Sequence, residues 1–236
     1  MMAKKGVLTT VMCLGLLACD SQSTDSGVDM ITLDGVIQDA LTSEGLAGVS
    51  ICVVDEPETC QISSQSGTYS ITISASRETE LQAQIDGYVS AVIPVPAQVQ
   101  SGDLRAVALL SSDLIEIQES LVGVETAEDR GALIFSVSNG IPGDGVNVEN
   151  ISVSLEPASG AGPFYTSSAG LPSQALDATS AHGGGLYTNL PADTYTLSLS
   201  GLPEDCFILF GWGAVDRLRT SIRPGHISVL RIECPQ

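Results

Sequence analysis

The stretch Ser66-Gly67-Thr68-Tyr69-Ser70-Ile71-Thr72-Ile73-Ser74 decides the fold class. Tyr69, Ile71 and Ile73 alternate with Ser70, Thr72 and Ser74, so an extended chain sends the apolar side chains to one face and the hydroxyls to the other. The same period of two appears on either side. Val49, Ile51 and Val53 alternate with Ser50 and Cys52, and Leu81, Ala83 and Ile85 alternate with Gln82 and Gln84. Turn clusters separate these runs: Glu44-Gly45, Asp55-Glu56-Pro57-Glu58, Gln65-Ser66-Gly67 and Asp86-Gly87. Short strands with one apolar face, punctuated this often, predict antiparallel sheets stacked into a β-sandwich.

The pattern then recurs. Ile151, Val153 and Leu155 alternate with Ser152 and Ser154, and Tyr195, Leu197 and Leu199 with Thr196 and Ser198. Ser66 to Ile71, followed by Leu81 to Ile85 and Asp86-Gly87-Tyr88, has a counterpart in His182 to Leu190, Tyr195 to Leu199 and Ser200-Gly201-Leu202. Two related sandwiches in tandem are expected, over 31–111 and 131–236. Between them, 112–130 holds six acids: Asp113, Glu116, Glu119, Glu125, Glu128 and Asp129. Ser112 or Asp113 could cap a helix running to about Leu121, and a short connector helix is favoured over a binding tail, although Leu114, Ile115 and Ile117 could also continue a strand. The fold class expected is therefore all-β, two antiparallel sandwiches joined by a short acidic linker.

Composition bounds the function. The chain has 236 residues, 43% hydrophobic, which is enough to bury a core and argues against wholesale disorder. Its 28 acids against 9 bases give a net charge of −19. Binding to a nucleic-acid backbone needs the opposite sign, so no nucleic-acid partner is expected.

The first residues read as an export leader. Met1-Met2-Ala3-Lys4-Lys5 is cationic, and Gly6 to Ala18 is uncharged. As a helix that run rises only about 20 Å, short of a roughly 30 Å hydrocarbon core, so it is a signal peptide and not a permanent span. Leu16-Leu17-Ala18-Cys19 resembles the bacterial lipobox, which implies a leader over 1–18, cleavage before Cys19, and acylation of that cysteine. Residues 19–30 are polar and aperiodic and read as a flexible tether of at most roughly 35 to 40 Å. Membrane attachment through N-terminal acyl chains follows from this resemblance. The expected location is the bacterial cell envelope, with the outer membrane or cell surface favoured. The leaflet stays open, because Asp20 resembles an inner-membrane retention signal of enteric bacteria that transfers poorly to other groups. Loss of 1–18 removes Lys4 and Lys5 and leaves seven arginines, no lysine and 28 acids, a charge of −21. Such a surface fits a saline habitat or a general acidic bias.

Once Cys13 leaves with the leader and Cys19 carries lipid, Cys52, Cys60, Cys206 and Cys234 remain, an even set in an oxidising compartment. Of three pairings, Cys52–Cys60 and Cys206–Cys234 is preferred, since the members of each pair lie near one another in sequence. The alternation turns Cys52 outward, whereas a buried Ile62 would turn Cys60 inward, so a bulge or a turn position for Cys60 is required. A four-cysteine zinc site lacks the paired short spacings it needs.

Leu33-Asp34-Gly35-Val36-Ile37, the Gly45 to Val49 turn, Ser66-Gly67-Thr68-Tyr69, Asp86-Gly87-Tyr88 and Leu104 to Leu110 together resemble the carboxypeptidase regulatory-like domain, a transthyretin-like (prealbumin-like) sandwich. The resemblance covers about 31–111, and 131–236 resembles it more weakly, with a longer excursion at Gly160 to Ser180. It implies modules without peptidase chemistry that serve as folding or binding units.

No local nucleophile motif surrounds His182 or His226, as a hydrolase would need. The Ile232-Glu233-Cys234-Pro235-Gln236 ending lacks the Tyr-Arg-Gly-Ser terminus of the fold's ureide hydrolases. The ligand pattern of a zinc carboxypeptidase is absent too. Asn139-Gly140-Ile141-Pro142-Gly143-Asp144-Gly145 offers one carboxylate where calcium wants six to eight oxygens. No metal or cofactor is expected. Phe207-Ile208-Leu209-Phe210-Gly211-Trp212-Gly213 is the only aromatic cluster, and alternation would put Phe210 and Trp212 on one face, as core or as a stacking platform for sugars. The expectation is a non-catalytic envelope lipoprotein, a surface scaffold or binding module for an envelope protein or polysaccharide. The alternative is a carbohydrate-binding accessory lipoprotein using Phe210 and Trp212.

Overall fold

The computed structural model describes residues 29–54, 56–98, 100–139 and 147–235. The leader, Cys19 and most of the tether lie outside the described residues, as does the 139–145 loop apart from Asn139.

The first half carries β1 (Met30–Asp39), β2 (Ser50–Val53), β3 (Glu56–Ile62), β4 (Thr68–Ser74), β5 (Thr79–Gln84), β6 (Ser90–Val95) and β7 (Gly102–Leu109). Helix α1 (Ser112–Val122) follows. The second half carries β8 (Arg130–Ser138), β9 (Ser152–Glu156), β10 (Ala161–Thr166), β11 (Pro172–Ser173), β12 (Gly184–Pro191), β13 (Thr194–Ser200), β14 (Phe207–Phe210), β15 (Trp212–Ala214), β16 (Arg217–Ser221) and β17 (His226–Glu233). The all-β reading holds. The 112–130 segment opens with the helical option, and its cap lies one residue earlier than expected. Ser111 Oγ accepts from the Leu114 N–H at 3.2 Å.

Three sheets form: β4-β1-β7, β15-β16-β13-β9, and a ten-stranded sheet running β11-β10-β12-β8-β17-β6-β5-β2-β3, with β14 also on β17. Each small sheet covers one end of the large one. The alternating residues of β1, β4 and β5 fill one core with Leu33, Ile37, Ile71, Ile73 and Leu81. Those of β8 and β13 fill the other with Leu133, Phe135, Tyr195 and Leu197. The pairing departs from the purely antiparallel expectation at β1–β7, β17–β8 and β17–β6, which are parallel. Parallel neighbours need long crossovers. The chain supplies one by crossing to the opposite sheet between β1 and β7, and again between β8 and β17.

The repeat is visible atom by atom. Ser63 Oγ accepts from Val49 N–H at 2.9 Å and donates to the Leu46 carbonyl at 2.6 Å. Thr179 Oγ1 accepts from Ile151 N–H at 3.0 Å and donates to the Val148 carbonyl at 2.8 Å. Gly67 O accepts from Ile37 N–H at 2.9 Å, as Gly183 O does from Val137 N–H at 2.7 Å. Both glycines have positive φ, 77° and 62°, and a Cβ on either would meet the opposing carbonyl oxygen at 2.2 or 2.3 Å. Only glycine fits such an approach.

Candidate functional site

The strand that closes the second sandwich also enters the first. Residues His226 to Ser228 of β17 pair with Ser90 to Val92 of β6, while Ile227 to Glu233 pair with Ala132 to Ser138 of β8. The outward positions at β5 extend this seam with period two. Glu78 meets Arg219 at 3.3 Å, Glu80 accepts from Arg223 Nη2 at 2.7 Å and from the Ser221 hydroxyl, and Gln82 Nε2 lies 3.0 Å from His226 Nε2. The Glu80 side chain is only 10% exposed and Arg223 41%, so the carboxylate end of the pair is shielded while the guanidinium end stays open to water.

The aromatic cluster completes the seam. Gly211, at φ 129°, breaks the alternation that would have put Phe210 and Trp212 on one face. The chain passes there from the large sheet to a small one, and the Gly211 N–H donates to Pro94 O at 2.7 Å. Phe210, 1% exposed, packs with Leu209 into the core of the first sandwich. An open Phe210–Trp212 stacking platform is therefore not assembled. Trp212 is half-buried, and its Nε1–H donates to Val95 O at 3.1 Å. Its indole lines a cavity of about 270 Å³ with Glu56, Arg77, Glu78, Glu80 and Arg223.

The histidines are set apart from one another. His226 Nδ1 lies 2.7 Å from Pro224 O; a carbonyl only accepts, so Nδ1 carries the proton and Nε2 accepts from the Gln82 amide. His226 shares a cavity of about 240 Å³ under α1 with Glu119 and Glu128. Glu119 Oε1 in turn accepts from Thr126 N–H at 3.2 Å and from the Thr188 hydroxyl at 3.4 Å. His182 is exposed and borders a groove of about 490 Å³ on the other side of the helix. Among the described residues no group of three or more His, Cys, Asp or Glu side chains is placed to hold a metal ion. No helix among them is long and apolar enough to cross a membrane.

The two preferred disulfides are present, Cys52–Cys60 and Cys206–Cys234. Ile62 is 64% exposed, so Cys60 shares its outward face with Cys52, and the premise that set their directions in conflict falls away. The β2–β3 register also shifts between Ile51 and Val53. The seam went unseen in the sequence because Gln82 read, with Gln84, as the wet face of a strand, and Glu80 stood outside the alternating run. The available signal was the gathering of Arg217, Arg219 and Arg223 within seven residues.

No protein-family model matches the chain, and no curated protein matches it either. Among solved structures it is similar to a type II cohesin–X-dockerin complex from Acetivibrio cellulolyticus, at 12% identity over 48% of this chain and 78% of that one, TM-score 0.31. It is similar to the minor pilin GBS52 of Streptococcus agalactiae, at 12% identity over 87% and 96%, TM-score 0.29. It is also similar to the shaft pilin SpaA of Lactobacillus rhamnosus GG, at 11% identity over 88% and 98%, TM-score 0.25. Scores of this size assign no function, and the fold class rests on the strands themselves.

Proposed function

We propose that this chain is a non-catalytic lipoprotein of the bacterial envelope, in which acyl chains on Cys19 hold a body of two carboxypeptidase regulatory-like sandwiches at a membrane surface. In this reading 1–18 is the leader, 19–30 the tether, 31–111 and 131–236 the sandwiches, and 112–130 the linker between them. The observation that carries the scaffold reading is the seam. The outward polar groups of β5 fasten one sandwich to the other, and His226 has both ring nitrogens engaged. Side chains committed to each other in this way favour holding a shape over turning over a substrate, and loops on a held frame are where partners usually meet a protein.

The test is metabolic labelling with an alkynyl fatty acid in a bacterial host. Label on the full chain, and its loss with release from membranes in Cys19→Ser, is expected. An unlabelled mature protein, or label that survives the substitution, overturns the reading. A carbohydrate-binding role is the second reading. It moves from the Phe210/Trp212 pair to the cavity lined by Trp212, the half-buried member of that pair.

A further inference from the structure

From the seam cavity we infer a binding site for one neutral sugar residue, a chain end or side branch of an uncharged polysaccharide. This inference rests on the second reading above and gives it a specific location. The cavity is built by both sandwiches. Glu56, Arg77, Glu78 and Glu80 come from the first, and Trp212 and Arg223 from the second.

Charge selects the ligand class. Three carboxylates and two guanidinium groups line the space, and each guanidinium lies beside a carboxylate: Arg77–Glu56 at 3.5 Å and Arg223–Glu80 at 2.7 Å. An anion would gain two arginines and face three acids. A cation would meet three carboxylates that each already have an arginine partner, Glu56 with Arg77, Glu80 with Arg223 and Glu78 with Arg219 at 3.3 Å. A hydroxyl both donates and accepts, so a polyol can bond to carboxylate oxygens and guanidinium N–H groups together without upsetting any pair. The planar side chains are also pre-held by one another, which lowers the ordering cost of a bidentate contact to adjacent hydroxyls.

A further observation points to the occupant. The single tryptophan supplies an aromatic wall for the apolar CH face of a sugar ring. The volume, about 270 Å³, lies near the roughly 300 Å³ lower end of small-molecule sites and suits one ring better than an oligosaccharide. The mature charge of −21 from seven arginines and 28 acids disfavours acidic polysaccharides at long range.

Because Trp212 is the only tryptophan, its emission reports this site alone. The full mature chain is titrated with glucose, galactose, mannose and N-acetylglucosamine, and in parallel with glycine and glucuronate, with saturation-transfer NMR on the same samples. At least one neutral sugar is expected to bind saturably. Glu56→Gln and Arg77→Ala alter side chains that are 40% and 58% exposed, so folding survives. Each should weaken binding about tenfold at an unchanged melting temperature, the scale of one charge-assisted hydrogen bond. Silence towards every neutral sugar by both methods, a stronger response to glycine or glucuronate, or undiminished affinity in both variants overturns the site. Fatty-acid labelling at Cys19 is read independently, so an anchored protein that ignores sugars fails only this inference, and a sugar-binding protein without label fails only the anchor.

Discussion

Gly35 on β1 lies directly across from Tyr69 on β4, and at the equivalent place in the second sandwich Phe135 on β8 lies directly across from Gly185 on β12. The ring has changed strands while the pairing is kept. Each core accommodates one aromatic side chain over a bare backbone at this level. A Cβ on Gly35 would come within 2.6 Å of the Tyr69 hydroxyl, and one on Gly185 within 2.6 Å of the Phe135 ring. Gly35→Ala and Gly185→Ala should therefore each destabilise by about 1–3 kcal/mol through overpacking. Denaturant melts check this, and in a double-mutant cycle Tyr69→Leu should recover part of the Gly35→Ala loss. Tyr69→Phe should act the other way. The hydroxyl is buried without a partner, and burial, aided by Asp103, pushes its pKa up. Deleting it should stabilise by up to about 1 kcal/mol.

The hydroxyls of Ser63 and Thr179 give a matched pair of tests. Each is buried in a connection between strands and joins a donor and an acceptor from a distant segment of the chain. Ser63→Ala and Thr179→Val each strand a buried N–H and a carbonyl, at about 1–3 kcal/mol. Thr179→Ser keeps the oxygen and should cost well under half of the Thr179→Val loss. Similar losses at both sites, read by chemical denaturation, would mark the two hydroxyls as one device used twice.

How much of this was legible follows from which signals are local. Alternation at Tyr69, Ile71 and Ile73 is local and placed strand β4, and the His182 to Leu190 counterpart placed β12. The cysteine spacing named both disulfides. The long-range pairing of β17 with β6 was out of reach, because a strand buried between two neighbours carries no mark of which neighbours they are. Phe210 and Trp212 were separated by a property of Gly211 that composition does not reveal, a φ of 129° that turns the chain from one sheet into another. The seam cavity was hidden for the same reason: Arg77 and Arg223 are far apart in the chain and meet only through that pairing.

Because β17 belongs to both sandwiches, the body should unfold as one unit. Far-ultraviolet dichroism and Trp212 emission are expected to give coincident denaturant transitions, the usual signature of cooperative unfolding. Glu80→Ala leaves Arg223 and Ser221 facing a vacated carboxylate position at the seam. A loss of about 1–2 kcal/mol is expected, discounted from a fully buried pair because Arg223 is 41% exposed. Glu78→Ala, whose partner Arg219 and own side chain are both well exposed, should cost under about 1 kcal/mol. A larger loss at Glu78 than at Glu80 would contradict this account of the seam.

The disulfides differ in reach. Cys206 and Cys234 are 28 residues apart and Cys52 and Cys60 are 8 apart. In the chain-entropy description the longer loop restricts the unfolded chain more, by about 3.5 against about 2.5 kcal/mol. Cys234 is also buried, whereas Cys60 is exposed. Graded reduction followed by mass mapping should open Cys52–Cys60 first. The double serine replacement at 206 and 234 should lower the unfolding free energy more than that at 52 and 60.

Asp39 gives the stability an acid-side dependence. Its carboxylate accepts from the Thr42 N–H at 2.7 Å, the Tyr88 hydroxyl at 2.8 Å and the Leu41 N–H at 2.9 Å, fixing the turn after β1. These bonds, the one from Thr42 foremost, hold its pKa below the ordinary carboxylate value. A group whose pKa falls on folding stabilises the native state above its unfolded pKa, about 3.9 for aspartate, and loses that contribution as pH drops through the lowered folded value. Asp39→Asn should therefore melt below wild type at pH 7, and the gap should narrow steadily once the pH falls under about 4. Tyr88→Phe removes one of the three donors and should show a smaller gap with the same direction of closure. Thermal melts of the three proteins from pH 7 to pH 2 decide the matter, and a gap that widens towards acid would mean that the charge on Asp39 does not hold the turn.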